Sequence, residues 1–197
     1  MSPQEPSVRR RRRSSAASIG DALLETAKHV ESEVASTVLL LWDDLPTWQR
    51  DNAFILSGYR RSTASFADCF SSLGYLHNET VNIYSHLFGA AAFVSAAAFC
   101  ASIVAPRHAS ATDTDVLVFA CFLAGAVLCL GMSATYHAIQ CHSEDVSRWG
   151  NKLDYSGIVF LIVGSYVPTL YYGFFCLPEL MSFYLSIVSG VPPLILF

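Results

Sequence analysis

Two groups that could do chemistry stand one helical turn apart in Ser133-Ala134-Thr135-Tyr136-His137, at the end of a run (116–132) built of Val, Leu, Phe, Ala, Cys, Gly and Met. On a helix, Cys129, Ser133, His137 and Cys141 are successive i, i+4 positions and form one stripe, so the hydroxyl and the imidazole face the same neighbour. Asp154 opens the next apolar segment, and two antiparallel spans joined by a short turn bring Ser133, His137 and Asp154 to similar depth. An ionisable residue within a span is costly and marks a functional site with a partner, and His137 and Asp154 are each other's candidates. One reading places both in the headgroup zone, with Asp154 capping the third helix. The other is a metal site, the imidazole supplying a neutral nitrogen ligand while the carboxylate orients the imidazole or a water on the metal. Cys141 is a softer alternative ligand. A catalytic zinc needs three protein ligands; His77, His86, His108 and His142 read instead as interfacial or loop residues.

The elements that position these groups are set by a membrane-protein composition: 53% hydrophobic, 14% charged, mean hydropathy +0.41 over 197 residues. Four segments, 81–106, 116–143, 155–178 and 180–197, lack Asp, Glu, Lys and Arg for about the length of a bilayer core. They predict transmembrane helices over about 83–105, 116–138, 155–176 and 180–197, with Pro168 inside the third. Small residues on the first, Gly89 to Ala92 and Ala96 to Ala98, suit close helix packing. The fourth stops near the minimum spanning length. That is expected of a truncated product or a fragment, the alternative being a bundle of only four spans.

Residues 1–17 carry Arg9–Arg13 with Pro and Ser and read as a disordered basic tail, solvated in the cytosol or, as the alternative, a nuclear-type or anionic-lipid-binding patch. From Ser18, apolar residues from Ile19 through Val30, Val34 and Val38 to Leu41 recur at three- and four-residue steps, which predicts an amphipathic helix, followed by an ordered connector to residue 80. The transmembrane domain then occupies 81–197. Arg50, Arg60 and Arg61 precede the first span and Arg148 and Lys152 lie between the second and third, against Arg107 alone between the first and second. This places the N-terminus in the cytosol and His137 on the cytosolic side. The sequon Asn78-Glu79-Thr80 then lies on the wrong face for glycosylation. The cysteines form no CxxC pair, and no disulfide framework is expected. No nucleic-acid-binding footprint runs through the folded part.

The stretches LPTWQRDNAFILSGYRR (45–61), SFADCFSSLGYLHNETVNIYSHLFG (65–89), SATYHAIQCH (133–142) and KLDYSGI (152–158) together resemble the progestin and adipoQ receptor family, also called adiponectin receptor-like or haemolysin III-related, with the look of a fungal member. The resemblance implies an all-α membrane protein, here the N-terminal part of a seven-helix bundle with a cytosolic N-terminus and a zinc ion towards the cytosolic side. It implies that His137 is a zinc ligand within a Ser-x-x-x-His motif with Ser133, and that Asp154 holds the zinc-bound water. Two further His ligands, from a His-x-x-x-His on the seventh span, are expected beyond Phe197.

Two functions follow from that resemblance. One is a receptor or regulator in lipid, sterol and zinc homeostasis, with a membrane lipid and an unidentified protein ligand as partners. The other is a zinc-dependent, ceramidase-like hydrolase of a lipid amide, in which Asp154 steers the water and Ser133 gives polar support. A pore is disfavoured because the spans lack a continuous polar stripe.

Overall fold

The computed structural model describes residues 24–26, 39–108 and 110–190; the basic tail, most of the amphipathic segment and residues 191–197 lie outside them. Among the described residues, three helices are long and apolar enough to cross a membrane: Thr80–Val104, Asp113–Ile139 and Glu144–Gly173. We call them α2, α3 and α4. α2 is α-helical over Thr80–Phe99 and continues as a π turn at Cys100–Val104. The expected fourth span begins as α5, Pro178–Gly190, and its remaining residues lie outside the described ones.

Helix starts follow local capping rather than the edge of the uncharged stretch. Thr112 and Asp115 form a reciprocal capping box that begins α3 at Asp113. Ser143 caps α4 by accepting from the Val146 N–H, and Glu144 and Asp145 in the first turn suit the positive end of the helix dipole. α4 therefore starts at Glu144, well before the expected boundary at 155, since absence of charge marks the hydrocarbon core and not the end of the helix. In consequence Asp154 lies in the interior of α4, and the reading that made it a cap is overturned.

Residues 39–79 fold into a polar cap on one end of the bundle. Its base is an antiparallel pair, β1 (Leu39–Leu41) and β2 (Ser57–Arg60), in which Leu39 faces Arg60 and Leu40 faces Tyr59. The expected amphipathic helix is helical at Leu24–Thr26, but its expected end at Leu41 is strand. Three successive leucines offer no single apolar helical face, and the backbone of β2 supplies the hydrogen bonds instead. A short helix, α1 (Phe66–Ser71), is capped by Ser65 and buries Cys69 against the bundle.

α3 and α4 are antiparallel neighbours joined by residues 140–143, and glycines set how closely they approach. A Cβ on Gly157 would come within 2.9 Å of the Cys129 Cα, and one on Gly164 within 2.5 Å of the Cys121 carbonyl. Gly150, Gly157 and Gly164 recur every seven residues, so a groove without side chains runs down α4 and receives α3. Asp154 stands on this same stripe, between Gly150 and Gly157. The pairings Tyr136 with Gly150 and Cys129 with Gly157 put Asp154 level with Met132 and Ser133. α2 packs on the other side of α3, through Gly89 against Leu130 and an edge-to-face pair of Phe93 and Phe122.

Candidate functional site

At the C-terminal end of α3 the last carbonyls have no partners within the helix, and the cap supplies them. Arg60, 3% exposed, donates from Nη1 to the Ala138 carbonyl (2.8 Å) and to Ser72 Oγ (3.0 Å), and from Nη2 to the His137 carbonyl (2.5 Å). The Ala64 N–H and the Ser62 hydroxyl donate to the His142 carbonyl, and the His142 ring stacks on Phe66. The guanidinium fork suits this task because two of its nitrogens reach successive carbonyls at once.

The imidazole of His137 is gripped independently. A tight turn precedes α2, in which the His77 N–H donates to Thr80 Oγ1 (2.8 Å) and the Glu79 N–H donates to His77 Nδ1 (3.1 Å). It delivers the Glu79 carboxylate to the side of α3, where Oε2 lies 2.8 Å from His137 Nδ1 and accepts from the Asn82 amide at 2.8 Å. Oε1 accepts from the Asn78 amide at 2.5 Å, so the asparagine of the sequon is committed to this carboxylate. Burial pushes the Glu79 carboxyl up, but the bonds from His137 and Asn82 and the charge of Arg60 outweigh it and hold it below its ordinary value. Burial, with the charge of Arg60, lowers His77 to about 4, leaving a neutral ring whose Nδ1 can accept from the Glu79 N–H.

Ser133, 5% exposed, is buried one turn from His137 on the same stripe. Asp154 lies at its level on α4, about one and a half turns from the level of His137 along the helix axis. His86, assigned no role from the sequence, is brought beside His137 with ring centroids 5.9 Å apart, and its Nδ1 is buried. Cys141 is engaged elsewhere: its sulfur lies 3.3 Å from that of Cys69, and burial together with this contact pushes the Cys69 thiol up to about 12. Among the described residues no three His, Cys, Asp or Glu side chains converge as a metal cluster, so His137 stands as a single donor.

Sequence reasoning missed Glu79 and Arg60. A signal for Glu79 was present, since Glu79, Asn82 and His86 recur at i, i+3 and i+7 on one helical face. Nothing local marked Arg60, which resembles its neighbour Arg61 in every respect except where the fold places it.

Three apolar helices, a buried polar cap and a histidine held at the junction define a multi-span helical membrane protein. Comparison with known proteins narrows this: the Haemolysin-III related family matches residues 74–193, and the chain belongs to that family. It is 48% identical over 137 residues to the ADIPOR-like receptor IZH2 of Saccharomyces cerevisiae, covering 70% of this chain and 43% of that protein. It is 44% identical over 151 residues to progestin and adipoQ receptor-like protein 1 of Caenorhabditis elegans, covering 77% of this chain and 34% of that protein. Identity to the adiponectin receptor protein of Drosophila melanogaster is 41% over 155 residues, covering 79% of this chain and 34% of that protein. The chain thus spans between a third and under half of the length of these relatives. It is an adiponectin receptor-like integral membrane protein.

Proposed function

We propose that this receptor-like protein acts in lipid or sterol and zinc homeostasis and that its cap end carries one corner of an intramembrane zinc centre. The observation that carries the reading is His137 itself, half-buried at the helix junction with one ring nitrogen on a carboxylate and the other left to act as a metal ligand. The residues present fit one ligand position of a tetrahedral site, with Ser133 and Asp154 as polar groups a turn or more away, and further ligands come from elsewhere. Zinc, when bound, supplies Lewis-acid polarisation. Ser133 gives a hydroxyl on the same stripe, and Asp154 holds a water at its level through an acceptor-only carboxylate.

The cap faces the cytosol in this reading. Arg50, Arg61, Arg148 and Lys152 lie at its end of the bundle, against Arg107 at the other. Arg60 adds nothing to that bias as a free charge, because it is spent on the α3 carbonyls.

Zinc titration of the purified chain in detergent tests the metal. Binding is expected to be weaker than that of a three-ligand site and to fall at least tenfold in His137→Ala. Equal affinity in the two proteins would overturn the assignment. Hydrolysis of a lipid amide is the second reading, favoured by the position of Asp154 inside α4 at the level of Ser133. Ceramide turnover that is unchanged in Asp154→Ala and His137→Ala would sink it.

A further inference from the structure

We propose that Glu79 is a positioning residue for His137, holding its imidazole in the Nδ1–H tautomer so that Nε2 alone presents a lone pair. An ionised carboxylate can only accept, so at 2.8 Å from Glu79 Oε2 it is His137 Nδ1 that carries the proton. In the neutral ring the other nitrogen is then unprotonated, the form in which imidazole binds a metal.

The arrangement is built to be rigid. The Glu79 side chain is 6% exposed, and both its oxygens are occupied, by the Asn78 amide and by the Asn82 amide and His137. Its own N–H is fixed on His77 Nδ1. The backbone carbonyl of His137 is meanwhile clamped by Arg60, so ring and main chain are held by two different elements of the cap. A carboxylate serving only to tie α2 to α3 would need neither the two amides nor a histidine as its partner. His137 is also the residue whose free nitrogen matters if the zinc reading, on which this inference rests, is right.

Histidine-selective ¹⁵N NMR on the metal-free chain in detergent reads the tautomer directly, with His137 identified by its loss in His137→Gln. The expected spectrum shows His137 protonated at Nδ1 and bare at Nε2 in the wild type. In Glu79→Gln, whose amide can donate or accept, the same ring is expected as a mixture of tautomers. Zinc affinity, measured by competition with a chromogenic chelator, is expected to fall about 10- to 100-fold in Glu79→Gln. Helical circular dichroism should stay unchanged in that variant. An Nε2–H tautomer in the wild type, or the same tautomer and affinity in both proteins, overturns the proposal. Should Glu79→Gln lose helicity, Asn82→Ala, which removes one amide from the carboxylate, gives the same readout with a partial shift expected and no shift overturning it. If the wild type takes up no zinc, the metal reading falls, and the tautomer spectra still decide the role of Glu79.

Discussion

The two ends of the three-helix bundle are built on opposite plans. At the cap end the last turn of α3 is wrapped by residues 60–79, its carbonyls taken by Arg60 and the His137 ring by Glu79. Towards the far end a cavity of about 1020 Å³ lies against α2 and α3, lined mostly by aliphatic and aromatic side chains, including Val94, Leu123 and Val127. Among the described residues, a polar contact ties α3 to α4 there, from the Tyr172 hydroxyl to Asp115 at 2.7 Å. A site that must hold a histidine to within tenths of an ångström belongs where polar groups are mutually satisfied. The open apolar end, in lipid, can tolerate variation in shape. Substitutions at the two ends should therefore differ sharply in their effect.

The largest effect is expected at Arg60. Arg60→Leu leaves the His137 and Ala138 carbonyls and the Ser72 hydroxyl buried without this donor, at a cost of about 3–5 kcal/mol by analogy with breaking a buried charged hydrogen-bond network. Thermal unfolding in detergent should show a drop of many degrees, whereas Arg61→Leu, one residue on and exposed, should melt close to wild type. Equal melting of the two variants would mean that the cap is not what holds this end.

Next in size is the glycine stripe, which joins the two ends. A methyl on Gly164 meets the Cys121 carbonyl at 2.5 Å, backbone that cannot swing aside, so Gly164→Ala should cost about 1–3 kcal/mol. Gly131 has nothing within 4 Å of the same added atom, and Gly131→Ala should be neutral or slightly stabilising through helix propensity. The pair of melting temperatures separates close packing from a general intolerance of substitution.

What could be read from the sequence divides along the same line. The apolar helices and the Ser133–His137 stripe follow from hydropathy and a 3.6-residue period, both properties of short windows. The level of Asp154 follows from a hairpin with a four-residue turn. The start of α4 at Glu144 was missed because charges near a membrane surface conceal a helix that continues through them. Leu39–Leu41 was missed because its strand exists only by pairing with residues 57–60. Arg60 and Glu79 act on residues 58 to 78 positions away, and no local pattern reports a contact of that range.

A smaller effect, again confined to the cap, is expected on acidification. His77 is about 4 in the fold against about 6.5 unfolded. Its neutral form is therefore the one the fold favours, so its contribution is fully present above about pH 6.5 and is lost as pH falls towards 4. Glu79, held below its ordinary value, loses its contribution in the same direction at lower pH. Unfolding followed from pH 7 down to about pH 2 should show the cap loosening first. His77→Gln should flatten the upper part of that decline while leaving the part below its window in place. A profile identical in wild type and variant would assign the whole decline to other groups.

The smallest effect is expected at the far end. Tyr172→Phe removes the one hydroxyl that bridges α4 to Asp115, in a place where both groups are exposed and the Asp115 carboxylate keeps its bonds to the Thr112 backbone and hydroxyl. An exposed hydrogen bond whose acceptor stays satisfied is worth no more than about 0.5–1.5 kcal/mol, and the ring of Tyr172 still packs against Phe119. Melting should fall by at most a few degrees, and zinc affinity at the opposite end should not change. A loss as large as that of Arg60→Leu, or any change in zinc affinity, would show that the two ends are coupled through the rigid α3–α4 pair and would erase the distinction between them.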